Sequence, residues 1–280
     1  MQETKTFIPI YFDKLFKKIF GDPKDLKPLK YLLKTCLNIE PNEITILSPE
    51  VLGEKYKTKR TYLDLLVKLE DGTKISIEVN TNSENYLIDR NLFFLFKVMG
   101  NDLKTKNEYI DLHKHIQLNF NVYINQKKPV MNYKLVDIQT KDILTEKLEI
   151  ININITHFAN TWYNKEDEFS KLMGLIGTKN IEDMEHFKHE KGIVKEIMDK
   201  ADKYRDDSEI VEVYDYDKMR DNREEAARKL GREEGFQDGF QDGVNYNVEK
   251  ISKLMLEKNM DLKLISEITG LNEEQIKNLK

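Results

Sequence analysis

Two runs of alternating apolar residues meet at Asp71-Gly72, and their spacing defines a hairpin whose register can be worked out from the residues alone. Leu63, Leu65, Val67 and Leu69 alternate with Asp64, Leu66 and Lys68, while Ile75, Ile77 and Val79 alternate with Lys74, Ser76, Glu78 and Asn80. This is the period of strands that turn one face to a core. A two-residue turn would set Asp64 opposite Val79 and mix the faces. A three-residue loop, Glu70-Asp71-Gly72, with Gly72 left-handed, keeps the apolar residues together and sets Asp64 opposite Glu78. Directly opposed residues have Cβ atoms roughly 4.5–5.5 Å apart. Two carboxylates that close repel unless positive charge stands between them, and a divalent cation is the candidate. Asn80 lies two residues beyond Glu78 on the same face, where its amide can orient a water.

The chain has 280 residues, 39% of them hydrophobic, enough for one sizeable core plus accessory elements. No apolar run approaches the roughly 20 residues of a membrane span, so no membrane partner is expected. The first residues lack the charged and apolar stretches of a secretory signal. Cys36 is the single cysteine, so no intrachain disulfide forms and a reducing cytoplasm is the expected location. A net charge of −5 neither requires nor excludes a nucleic-acid partner, because local patches decide binding.

Phe12, Leu15, Phe16, Ile19 and Phe20 have helical spacing, with Asp13, Lys14, Lys17 and Lys18 on the other side, so the pattern predicts a helix over 11–20. A second helix follows over 26–37, then strands over 44–51 and 62–80. Asn82 or Ser83 can cap a helix running to about 103. Strands are predicted over 115–124, 133–138 and 148–155, which closes a domain of residues 1–158. Trp162, with Tyr163, is expected to seal its edge. A helical extension over 159–215 is predicted to hold helices at 165–176 and 185–204. Residues 216–280 read as a long helix over 216–259 and a helix, Gly turn, helix tail. Gly231, Gly235, Gly239 and Gly243 recur along the long helix, each costing about 1 kcal/mol relative to Ala. The row implies either close approach of another backbone or a frayed connector.

By spacing alone, acids on a hairpin's polar face are ordinarily solvated. As a metal site, Asp64 and Glu78 suit Mg²⁺, which keeps several waters and recruits phosphate oxygens. His113 and His115 share a face, but no nearby Cys or third His completes a zinc set. Cys36, on an apolar helix face, reads as core.

Asp, a gap of about a dozen residues, and Glu-X-polar closing an apolar strand is the pattern of the PD-(D/E)XK nucleases. More specifically the chain resembles the Rpn family of recombination-promoting nucleases and transposases. The resemblance is carried by the run Phe12 to Gly21, by Leu63-Asp64, by Ile77-Glu78-Val79-Asn80, by Arg90-Asn91-Leu92-Phe93-Phe94 and by the Gly-repeat helix with Ile265-Ser266-Glu267-Ile268-Thr269-Gly270-Leu271. It spans nearly the whole chain in order. It implies an α/β, restriction-endonuclease-like mixed sheet flanked by helices, followed by an all-α region. It also implies a DNA endonuclease dependent on Mg²⁺ or Mn²⁺. Asp64 and Glu78 become metal-binding acids, the Val79 carbonyl a further ligand, Asn80 a catalytic residue and Asp13 an accessory acid.

Asn80 stands where the family has Gln and the wider superfamily Lys, and it supplies no positive charge. Lys74 lies roughly 13 Å from Glu78 along the strand, so Arg90 and Lys97 on the following helix are the better accessory cations. Lys14, Lys17, Lys18, Lys57, Lys59 and Arg60 are candidate DNA contacts. The tail is read as a route to a homo-oligomer more than as a DNA reader. The alternative to an active nuclease is a catalytically degenerate module that acts through DNA or protein binding and self-association.

Overall fold

The Glu70-Asp71-Gly72 loop closes as its composition requires. Gly72 takes φ +85°, and its position also leaves no room for a Cβ against the His113 ring. Leu69 N–H donates to the Thr73 carbonyl, while Asp71 accepts from both the amide and the hydroxyl of Thr73. The ladder pairs Leu65 with Ile77 and Val67 with Ile75, so Asp64 comes opposite Glu78 as the hairpin's period predicts.

The computed structural model describes residues 7–47, 50–51, 61–62, 64–81, 86–102, 108–122, 128–162 and 167–279. Its elements begin with helices α1 (Asp13–Phe20) and α2 (Lys27–Leu37). Strands β1 (Ile44–Leu47), β2 (Glu50–Val51), β3 (Thr61–Tyr62), β4 (Leu65–Leu69) and β5 (Lys74–Asn80) follow, then α3 (Leu87–Gly100). After these come β6 (His115–Asn121), β7 (Val130–Tyr133), β8 (Leu148–Asn154), α4 (Ile155–Ala159), α5 (Glu168–Gly177), α6 (Ile181–Glu185) and α7 (Ile193–Arg205). The chain ends in α8 (Ser208–Glu257), α9 (Leu262–Thr269) and α10 (Glu273–Lys277). Two compact units result, Met1–Tyr214 and Asp215–Lys280.

In the first unit a six-stranded sheet runs β1-β4-β5-β6-β8-β7, and β2 pairs with β3 separately. β5–β6 and β6–β8 are parallel and the other pairs are antiparallel. The parallel step from β5 to β6 requires a crossover, which α3 supplies. One sheet face carries Leu65, Val67, Ile75, Ile77, Ile116, Leu118, Phe120, Ile151 and Ile153, all in the main core with residues of α1, α2, α5 and α7. Phe16 of α1 meets Phe120 at 5.8 Å between ring centroids. Burying each such side chain stabilises the fold by about 1.5–3 kcal/mol. Gly21 ends α1 where a Cβ would strike Leu65, so the helix closes tightly on β4.

This is the α/β architecture expected, a mixed sheet flanked by helices with an all-helical C-terminal region. Several boundaries differ. Asn154 accepts from His157 N–H and starts α4 at Ile155, ending β8 earlier than the alternating isoleucines suggest. β7 lies at Val130–Tyr133, ahead of the predicted 133–138, and Val136 instead bridges Ile143. α6 is unforeseen, and α7 begins only after Gly192, whose φ is +63°. Trp162 is interior, stacked on Phe187 at 3.9 Å. Residues of α5, α7 and the start of α8, among them Leu172, Ile176, Ile197 and Ile210, thus share the core of the sheet. Asn82, Ser83 and Tyr163 lie outside the described residues.

In the second unit the Gly row is helical, with open space within 4 Å of each glycine's Cβ direction. Gly270 (φ +74°) makes the predicted turn, and Asn272 with Gln275 forms a capping box that starts α10. Among the described residues, no helix is long and apolar enough to cross a membrane.

Candidate active site

The second face of the sheet carries polar residues, and along β5 and β6 it is buried. Ser76, Glu78 and Asn80 are 0%, 5% and 2% exposed, and Gln117, Asn119 and Asn121 of β6 are equally enclosed. Parallel pairing places Ser76 beside Gln117, Glu78 beside Asn119 and Asn80 beside Asn121. Leu66 and Val98 of α3, with Leu47 and Phe94, form a small apolar cluster on this side. The solvated face that acids on a hairpin usually signify is absent here.

Asp64 and Glu78 meet where the β4–β5 ladder ends. Asp64 N–H donates to Glu78 Oε1 at 3.2 Å, and Val79 N–H donates to Asp64 Oδ2 at 2.7 Å. The Asp64 side chain is 16% exposed. Burial, followed by Asp13 nearby, pushes the Asp64 carboxyl up to about 7, against the opposing pull of Lys17 and the Val79 amide. Burial and then Asp64 likewise raise Glu78 well above the usual carboxylate range. The pair is short of positive charge.

The cation at hand comes from α1. Lys17 Nζ lies 3.3 Å from Asp64 Oδ1 and 2.6 Å from Asp13 Oδ1. Asp13 and Lys17 are one turn apart, so they share a helix flank, and the burial of Phe16 and Phe20 aims that flank at the ladder end. Burial opposes the Lys17 charge, but Asp64 and Asp13 outweigh it and hold its pKa above the ordinary value. Lys17 was expected to hold DNA; its contact with the acids follows from the docking of α1. The Asp13–Lys17 spacing was the one visible signal.

Asn80 is held on both sides. Arg90 Nη2 donates to its Oδ1 at 2.5 Å, and its Nδ2 donates to Asn121 Oδ1 at 2.9 Å. Arg90, expected as an accessory cation, is thus brought to Asn80. Lys97 stands over the Phe93 ring at 5.6 Å, two turns further along α3. Lys74 is paired with Asp102 at the far end of β5. Lys14 binds Glu209 at 2.8 Å, and Lys18 lies 5.9 Å from the Tyr204 ring, so both engage the helical side of the first unit. Lys57, Lys59 and Arg60 lie outside the described residues. Asn121 was not anticipated, because its place beside Asn80 depends on the parallel register.

Among the described residues no cluster of three or more His, Cys, Asp or Glu side chains could hold a metal ion. A cation here would rest on two carboxylates, main-chain oxygen, and water or substrate oxygens. That donor set fits a hard divalent ion such as Mg²⁺, and so do two largely buried acids whose Lys17 counter-charge is shared with Asp13.

The family model for PD-(D/E)XK nuclease family transposase matches residues 10–228, a span that includes every residue of this cluster. No curated protein and no solved structure matches the chain.

Proposed function

This chain belongs to the PD-(D/E)XK nuclease family transposases, and on that premise we propose that it is a cytoplasmic, metal-dependent DNA endonuclease serving recombination or transposition. The observation that carries the reading is the Asp64–Glu78 pair, clasped through two backbone amides and raised in pKa by burial first, with Asp13 adding to it at Asp64 and Asp64 adding to it at Glu78. Structural acids are ordinarily exposed, whereas these two are largely buried, and the Lys17 ammonium that meets Asp64 is shared with Asp13. A bound Mg²⁺ or Mn²⁺ would polarise the phosphodiester and lower the pKa of a coordinated water. Asp64 and Glu78 would hold it, with the Val79 carbonyl as a further ligand. The clasp orients both carboxylates before substrate arrives, and Arg90 fixes the Asn80 amide beside them. Lys57, Lys59 and Arg60, carried on the segment before β4, are assigned to the DNA backbone.

A second reading, a catalytically degenerate binding module, draws on Asn80. It is neutral, and both its polar atoms are engaged within the protein. Incubation of the purified protein with DNA and Mg²⁺ or Mn²⁺ separates the two. The nuclease reading expects cleavage that stops on chelation and is lost in Asp64→Ala and Glu78→Ala. Cleavage surviving both substitutions removes the site assignment. A wild type without metal-dependent cleavage favours the degenerate module.

A further inference from the structure

Hydrolysis of a phosphodiester concentrates negative charge on the phosphoryl oxygens, and a fixed positive group there accelerates it. Residue 80 does not supply one. Asn80 is uncharged, with its carbonyl taken by Arg90 and its amide by Asn121. Lys74 is committed to Asp102, and Lys97 lies against Phe93. Lys17, by contrast, is placed within ion-pair distance of Asp64 from a different element altogether.

From this geometry we infer that Lys17 is the charge-stabilising lysine of the active site, donating to the scissile phosphate, and that Asp13 is its positioning residue. The inference rests on the nuclease reading above. An ammonium has three donors, and two acceptors engage this one, Asp13 at 2.6 Å and Asp64 at 3.3 Å. A third N–H is left for a phosphate oxygen. The side chain is 33% exposed, so substrate can reach it. Of its two contacts the longer is to Asp64, which is the one an incoming phosphate displaces. The bond to Asp13, within the same rigid helix, keeps the ammonium at the site. A lysine on α1 thereby supplies the positive charge that the neutral Asn80 does not.

The test compares wild type with Lys17→Met, Lys17→Arg and Asp13→Asn, each first shown by thermal melting to be folded. Single-turnover DNA cleavage in Mn²⁺, Mn²⁺ affinity by electron paramagnetic resonance, and duplex affinity in Ca²⁺ across a salt series are measured. Lys17→Met is expected to slow cleavage about a hundredfold and to reduce the salt slope of DNA binding by about one. Its Mn²⁺ affinity should equal or exceed that of wild type, since a competing cation has been removed. Lys17→Arg should recover about a tenth or more of the lost rate, and Asp13→Asn should fall between. A purely structural ion pair would move stability without moving the salt slope. Cleavage by Lys17→Met within about threefold of wild type, with the slope unchanged, overturns the assignment and leaves the nuclease reading intact. Should the wild type bind Mn²⁺ and DNA without cutting, the salt slope alone decides for or against Lys17. A wild type that neither binds Mn²⁺ nor cuts overturns both readings together.

Discussion

Asp64 and Glu78 hold each other through the backbone: the amide of Asp64 donates to the Glu78 carboxylate, and the amide of Val79, next to Glu78, donates to the Asp64 carboxylate. The arrangement keeps two like charges side by side in a buried place, which opposes folding and favours capture of a cation.

Glu78→Gln should therefore stabilise the metal-free protein. With the charge gone, the burial cost and the repulsion from Asp64 that raise Glu78 are both relieved, while an amide oxygen can still accept from Asp64 N–H. At pH 8 its melting temperature is expected to rise by about 5 °C. Saturating Mn²⁺ should then add about 2.7 kcal/mol to the wild type at a hundred times the dissociation constant, and nothing to the variant. Differential scanning fluorimetry with and without Mn²⁺ reads both effects. A lower melting temperature for Glu78→Gln would show that the pair is stabilising as it stands.

His115 ties stability to pH. It is fully buried, with Nε2 3.2 Å from Ser76 Oγ, and burial, abetted by Lys74, depresses its pKa to about 4 despite the opposing Asp102. Between that value and the ordinary 6.5 the unfolded chain binds the extra proton and the folded one does not. The contribution is thus complete above pH 6.5 and is lost as pH falls toward 4, amounting to about 3 kcal/mol. Urea unfolding of wild type and His115→Gln at pH 7.5 and 5 tests this. The variant should lose less stability over that interval, and identical losses would remove His115 as the cause.

Asn80→Lys looks like a restoration of the superfamily residue, yet it should damage the protein. The new ammonium would face the Arg90 guanidinium in a nearly closed space, and Asn121 Oδ1 would lose the Asn80 amide that donates to it. A loss of about 3 kcal/mol is expected, seen as a lower urea midpoint with no gain in cleavage. Higher activity in Asn80→Lys would mean that Lys17 does not fill the role assigned to it.

Gly239→Ala probes the long helix. The Cβ would enter open space, so helix stability should increase by about 1 kcal/mol, visible as stronger ellipticity at 222 nm. If a second copy docks its backbone on the glycine row, the substitution instead lowers the mass measured by light scattering.

The hairpin is legible in the residues alone. Apolar alternation and the Gly72 loop give the register, because both act between neighbours in sequence and only one loop length keeps the apolar residues on one face. The heptad-free helical spacing around Phe16 was equally plain. Boundaries failed where a single side chain competes with the pattern, as when Asn154 caps α4 in the middle of an isoleucine alternation.

By itself, then, the sequence determined which residues share a face and that Asp64 lies across from Glu78. Tertiary structure alone decided that this face is buried along β5 and β6, that Asn80 is tied to Arg90 and Asn121, and that Lys17 reaches Asp64. The physical reason is range. Periodicity reports how side chains divide between the sides of one element, but what covers a side depends on docking between distant segments. Residues 17 and 64, or 80 and 121, become neighbours only when α1 packs on the apolar face and β6 pairs in parallel.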